Sequence, residues 1–142
     1  MTAMKTKTYS ADAGEKQRIL DRLSNIMRNR SDILFAYVHG SITGELPFHD
    51  IDVAVYLSDV SKTNATVKAL ELSQETSSEL NIPVDVRALN FASIPFRYQA
   101  LRGVLLFEKN EDLTAQFVEQ TVQRYLDIKP LLLNSMKEAF AT

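Results

Sequence analysis

The apolar positions change period several times along the chain, and each change marks an element. Ile19, Leu20, Leu23, Ile26 and Met27 fall at helical spacing behind Asp12 and Glu15, which resemble a capping box. A first helix is therefore expected over roughly 13–30. ILFAYV (33–38) is continuously apolar and reads as a strand buried on both faces. IDVAVYL (51–57) is rich in β-branched residues and predicts a second strand. Ser61 or Thr63 can cap a second helix that carries Val67, Leu70 and Leu80 and ends near Asn81, ahead of Ile82-Pro83. VDVRAL (84–89) predicts a third strand, and Pro95 opens a short helix to Arg102. VLLFE (104–108) follows Gly103 as a last short strand. From Asp112 onward Leu113, Phe117, Thr121, Tyr125 and Leu132 recur at helical spacing, so a long C-terminal helix is expected, kinked or split at Pro130.

The order α-β-β-α-β-α-β-α predicts an α/β (α+β) fold: a small mixed β-sheet with flanking helices. One domain is expected over 12–142, behind a flexible polar tail at 1–11. The apolar stripe with Tyr125, Leu131 to Leu133 and Phe140 exceeds what one small sheet covers, so a partner or dimer surface is expected there. At 142 residues and 45% hydrophobic the chain can bury a real core. Its net charge is −2, with Lys and Arg scattered, which argues against a basic face for nucleic acid. The absence of cysteine excludes disulfides and thiolate metal sites. Apolar runs are too short to span a bilayer and no secretory h-region is visible, so no membrane partner is expected and a cytoplasmic protein is the default.

Asp50 and Asp52 stand at the front of the second apolar strand. Two residues apart, they project from one face, while Ile51, Val53, Val55 and Leu57 take the other. Asp85 alternates with Val84 and Val86 in the same manner, so three carboxylates meet on one face if those strands are neighbours. Two such charges 4 Å apart repel by roughly 4 kcal/mol at an effective dielectric near 20. Hard divalent cations answer that cost, since Mg²⁺ prefers carboxylate, water and phosphate oxygens. Two metals clamp an in-line phosphoryl or nucleotidyl displacement. Gly40 lets backbone pass close to a ligand, and Ser41 offers a hydroxyl to a phosphate oxygen.

Asp-x-Asp alone occurs by chance in roughly a third of chains this long. The ordered set of strand, Gly-Ser, short loop, Asp-x-Asp, strand, helix and buried-strand aspartate is far more specific. Through HGSITGE, DIDVAVYL and VDVRALN, and on through IPFRYQALRGVLLFEK and RYLDIKPLL, the chain resembles the minimal nucleotidyltransferases of the DNA polymerase β-like superfamily. The resemblance implies that Gly40 and Ser41 contact the triphosphate and that Asp50, Asp52 and Asp85 are catalytic and hold Mg²⁺, two ions being expected. It implies ATP as substrate, attack of an acceptor hydroxyl on the α-phosphorus and departure of pyrophosphate. Family members of this size often act as antitoxins of a HEPN-domain toxin, adenylylating a toxin tyrosine. Between Ser41 and Asp50 the loop ITGELPFH is shorter than in many members and ends in His49 rather than Ser.

Other readings stand beside these. Asp85 can pair with Arg87 at the surface, Gly44 reads as a plain turn residue, and Glu45 as a solvated charge. His39 and His49 without cysteine make a poor zinc set, although His49 can touch nucleotide. Arg87, Arg97 and Arg102 can meet phosphates, but the helical arginines of FRYQALR read as surface residues, and Phe96 and Tyr98 as packing. For the whole chain the alternatives are an antitoxin that binds its partner without catalysis, or nucleotidyl transfer to a small molecule.

Overall fold

Each helix starts on a capped residue. In the computed structural model, which describes residues 8–44 and 47–141, α1 spans Ala13–Arg28 and Asp12 accepts the Glu15 N–H at 2.8 Å. Ser61 caps α2 (Lys62–Leu80), which stops at Asn81 in the left-handed conformation. Ser93 caps α3 (Ile94–Leu101), with Pro95 in its first turn. Asn110 caps α4 (Glu111–Phe140), accepting from the Leu113 N–H at 3.1 Å. Helix α4 is one element, so the expected split at Pro130 does not occur. Proline removes the bond to the Leu126 carbonyl, but that turn is exposed and water can satisfy the oxygen.

Strands β1 (Ile33–His39), β2 (Ile51–Leu57), β3 (Val84–Ala88) and β4 (Val104–Glu108) form one sheet in the order β3-β2-β1-β4. β1 runs antiparallel to both β2 and β4, whereas β2 and β3 are parallel and joined through α2. The alternation in β2 divides the interior. Ile51, Val53, Val55 and Leu57 face a core with Leu23 and Met27 of α1 and Leu72 of α2. Ala54 turns to a second cluster with Phe35, Tyr37, Ala100 and Phe117, under α3 and α4. β1 supplies both clusters, as a strand buried on both faces must.

Of the expected tail, residues 1–7 lie outside the described residues, while Tyr9 forms an antiparallel bridge with Phe48 and stacks on its ring at 5.7 Å. Lys16, buried on α1, donates to the Gly44 carbonyl at 2.6 Å and so ties the loop after β1 to the helix layer. Along the second half of α4 the apolar stripe is exposed: Leu126, Leu131, Leu133, Met136 and Phe140 are all more than a third accessible. Among the described residues no helix is long and apolar enough to cross a membrane.

Candidate active site

The site begins where β1 ends. Gly40 has φ +85°, a conformation L side chains rarely adopt, and a Cβ there would run into the Asp52 carboxylate. Close backbone approach was expected at Gly40 for a ligand; the first group it admits is Asp52 itself. Ser41 opens a short 3-10 turn (Ser41–Thr43) and is exposed. The turn is closed by Thr43, whose N–H and hydroxyl both donate to the Gly40 carbonyl, at 3.2 and 2.7 Å. Ile42, buried beneath it, anchors the turn to the core.

Register does the rest. His39 of β1 pairs with Asp52 of β2, and Asp52 pairs with Asp85 of β3, so the three lie in one row across adjacent strands. The condition that the second and third strands be neighbours is met. A cleft of about 270 Å³ opens over the row, lined by His39, Gly40, Asp52, Asp85, Arg87 and Phe96, with Gln99 of α3 at its rim.

Burial pushes the Asp52 carboxyl above the usual aspartate range, and the neighbouring charges of Asp50 and Asp85 push it further, against the pull of His39 and Arg87. Asp52 thus sits among like charges with partial desolvation, an environment that a cation would relieve. Asp50, one residue before β2, acts on Asp52 through its charge and does not line the cleft. Asp85 Oδ2 accepts from Arg87 Nε at 3.3 Å, the surface pairing anticipated from their shared face, yet both side chains also border the cleft. Among the described residues no three acidic or imidazole groups converge as a preformed metal cage.

His39, Phe96 and Gln99 are the site residues that sequence reasoning missed. Burial lowers the His39 pKa, overcoming the attraction of Asp52. Its ring stands edge-on to Phe96, centroids 5.7 Å apart. One signal was present: His39 alternates with Tyr37 and Phe35, which puts it on the face opposite Val38. Only the β1–β2 register shows that this is the carboxylate face.

The remaining candidates fall elsewhere. His49 is exposed, within 3.5 Å of the Thr8 hydroxyl, and does not line the cleft. Gly44 is extended, as suits a plain turn residue, and Glu45 lies outside the described residues. Arg97, expected at the surface, turns inward: it donates to the Asn90 carbonyl at 2.6 Å and lies over the Phe117 ring. Arg102 is exposed and rests on Tyr98, which stacks on Tyr125 at 3.7 Å.

Three comparisons bear on this arrangement. No curated protein matches the chain. Its fold matches a chain from the complex of a tri-AMPylated Shewanella oneidensis HEPN toxin with an MNT antitoxin. That match has 22% identity and a TM-score of 0.71, over 89% of this chain and 99% of that one. A chain of the toxin–antitoxin MntA-HepT aligns with a TM-score of 0.69 at 21% identity, over 88% and 99%. A chain of a toxin–antitoxin with AMP-PNP aligns with a TM-score of 0.70 at 22% identity, over 88% and 98%. At these identities the likeness establishes the fold. The model of the family described as polymerase beta, nucleotidyltransferase, matches residues 21–112, which carry the whole sheet, the Gly-Ser turn and all three aspartates. The chain therefore belongs to the polymerase β nucleotidyltransferase family.

Proposed function

We propose that the protein is an adenylyltransferase that moves AMP from ATP to a HEPN-domain toxin and acts as its antitoxin. The observation that carries this is the row of His39, Asp52 and Asp85 across three strands, with Gly40 shaped to admit the Asp52 carboxylate. The toxin as partner is supported by the structural neighbours, one of which is a complex with an AMPylated HEPN toxin and another a complex with AMP-PNP. The stripe from Leu126 to Phe140 offers apolar area for such a partner.

Asp50, Asp52 and Asp85 are oxygen donors of the kind Mg²⁺ takes, and a bound cation would offset the burial and like charges that raise the Asp52 pKa. Because Mg²⁺ completes its shell with water and phosphate oxygens, a cage of three protein ligands is not required. Bound there, Mg²⁺ would neutralise the triphosphate and the developing negative charge. The chain's own groups do the remaining work. Ser41 and the backbone of its turn orient the triphosphate at the end of β1. Asp85 accepts the proton of the acceptor hydroxyl. That oxygen bonds to the α-phosphorus as the bond to the β-phosphate bridging oxygen breaks, and pyrophosphate leaves with the electron pair. His39, neutral near pH 7, walls the cleft without adding charge.

The test is transfer of label from α-labelled ATP to the HEPN partner with Mg²⁺, comparing wild type with Asp50→Asn/Asp52→Asn. Transfer should drop at least about 100-fold in the double variant. Its melting temperature should not fall, since the exchange removes like-charge repulsion. A normal rate in the variant contradicts the proposal. A tight complex without label transfer from wild type would instead favour neutralisation by contact alone.

A further inference from the structure

The free edge of β3 is sealed over only part of its length. Residues 84, 86 and 88 turn their backbone groups away from β2, because the alternate residues bond to it: the Ile51 N–H reaches the Pro83 carbonyl, and the Leu89 N–H the Val55 carbonyl. Helix α2 covers the outward groups with serines four residues apart. Ser77 Oγ bonds both the N–H and the carbonyl of Val84, at 2.8 and 3.3 Å. Ser73 Oγ accepts the Val86 N–H at 2.8 Å and gives its own proton to the Ala69 carbonyl. One helical turn earlier the series meets Ala69, which has no hydroxyl. Among the described residues nothing takes the next two groups along the edge, the Val86 carbonyl and the Ala88 N–H. A cavity of about 350 Å³ opens there. Residues 85 to 88 all border it, and four consecutive strand residues share one opening only along the strand's edge. Ala65, Ala69, Leu70 and Phe91 give it apolar walls.

We propose that this cavity binds an adenine nucleotide by its base, at a site separate from the carboxylate cleft. An open carbonyl beside an open N–H matches a planar ring edge that carries one donor next to one acceptor. Adenine has such an edge in its amino group and an adjacent ring nitrogen. It is also the base with a single exocyclic polar group. Each of the others brings a second amino or carbonyl group, which apolar walls would leave unpaired. The half-exposed Phe91 ring offers a face for stacking, and Lys62 borders the cavity as a cation for the 5′-phosphate. A β-strand is a poorer occupant, because Ser77 already holds both groups of Val84 and α2 covers that stretch of the edge. The volume lies in the range of small-ligand pockets, about 300–1,000 Å³. The assignment does not depend on adenylyl transfer.

Equilibrium dialysis of labelled AMP against the protein in EDTA tests this, since the proposed contacts need no metal. Ala69→Ser extends the serine series onto the open pair and should weaken AMP binding at least about tenfold. Phe91→Ala should weaken it by a similar factor of about ten through lost stacking, and Phe91→Tyr should keep wild-type binding. N6,N6-dimethyl-AMP, which lacks the donor, should bind the wild-type protein at least about tenfold more weakly than AMP. That comparison needs no variant to fold. Asp50→Asn/Asp52→Asn should leave AMP binding unchanged. No AMP binding by wild type up to about 1 mM, equal binding of the dimethyl analogue, or unchanged binding by an Ala69→Ser protein that melts like wild type would each overturn the assignment. AMP binding that tightens or disappears in Asp50→Asn/Asp52→Asn would place the nucleotide in the cleft and overturn it too. None of these outcomes bears on label transfer to a HEPN partner, which is measured separately.

Discussion

Gly40 and Asp52 constrain each other, which is why a motif of two small features behaves as one. The glycine has a positive φ and no room for a Cβ beside the Asp52 carboxylate. Gly40→Ala should cost about 1–3 kcal/mol through strain alone, readable as a lower midpoint in urea denaturation. It should also displace the carboxylate and lower AMP transfer further than the stability loss explains. A variant as stable and active as wild type would show that the contact is not needed. Period and spacing put Asp50 and Asp52 on one face and Gly40 and Ser41 in one turn, and Asp85 on that face only if its strand is a neighbour; of these five, Gly40, Asp52 and Asp85 line the cleft. His39, Phe96 and Gln99 were not legible in the sequence, since their place depends on a cross-strand register and on α3 packing back over the sheet.

At the scale of elements, α4 is two different helices in one. Its first half carries Phe117, whose ring packs at 5.6 Å from Phe35 and 5.0 Å from Tyr56. Its second half carries Leu133, Met136 and Phe140, all exposed. Phe117→Ala should cost about 3 kcal/mol or more, whereas Leu133→Ser with Met136→Ser should stay within about 0.5 kcal/mol of wild type. Thermal melts separate the two, and equal losses would show that the second half is packed in the folded chain.

A second element-level device ties the α1–β1 turn to α2. Asp32 accepts from Arg30 and pairs with Lys68, and Arg30 also reaches Glu75 at 2.7 Å. Burial alone would raise the Asp32 pKa, but the bonds and charges of Arg30 and Lys68 lower it below the usual value of 3.8. A lowered carboxylate contributes stability above its unfolded pKa and loses it as pH falls through the folded one. Asp32→Asn should therefore destabilise at pH 7, by about 1 kcal/mol or less for so exposed a network. The gap from wild type should close toward pH 3 and below. A gap that persists in acid would assign the loss to packing rather than charge.

For the whole molecule, element order was readable because every helix begins at a capping side chain and every strand is an uninterrupted apolar or alternating run. The split allowed for at Pro130 does not occur because an exposed helix can leave a carbonyl to water, which periodicity does not reveal. Strand order was not supplied by spacing, and it is what brings Asp52 and Asp85 into one row. Under the proposed function, this row of carboxylates transfers AMP from ATP to a HEPN partner. The most direct measurement is the intact mass of that partner after incubation with the protein, ATP and Mg²⁺, beside a reaction containing Asp50→Asn/Asp52→Asn. Wild type should add whole adenylyl increments to the partner, and the variant none. An unmodified partner, a phosphate increment, or equal modification by both proteins would contradict the proposed function.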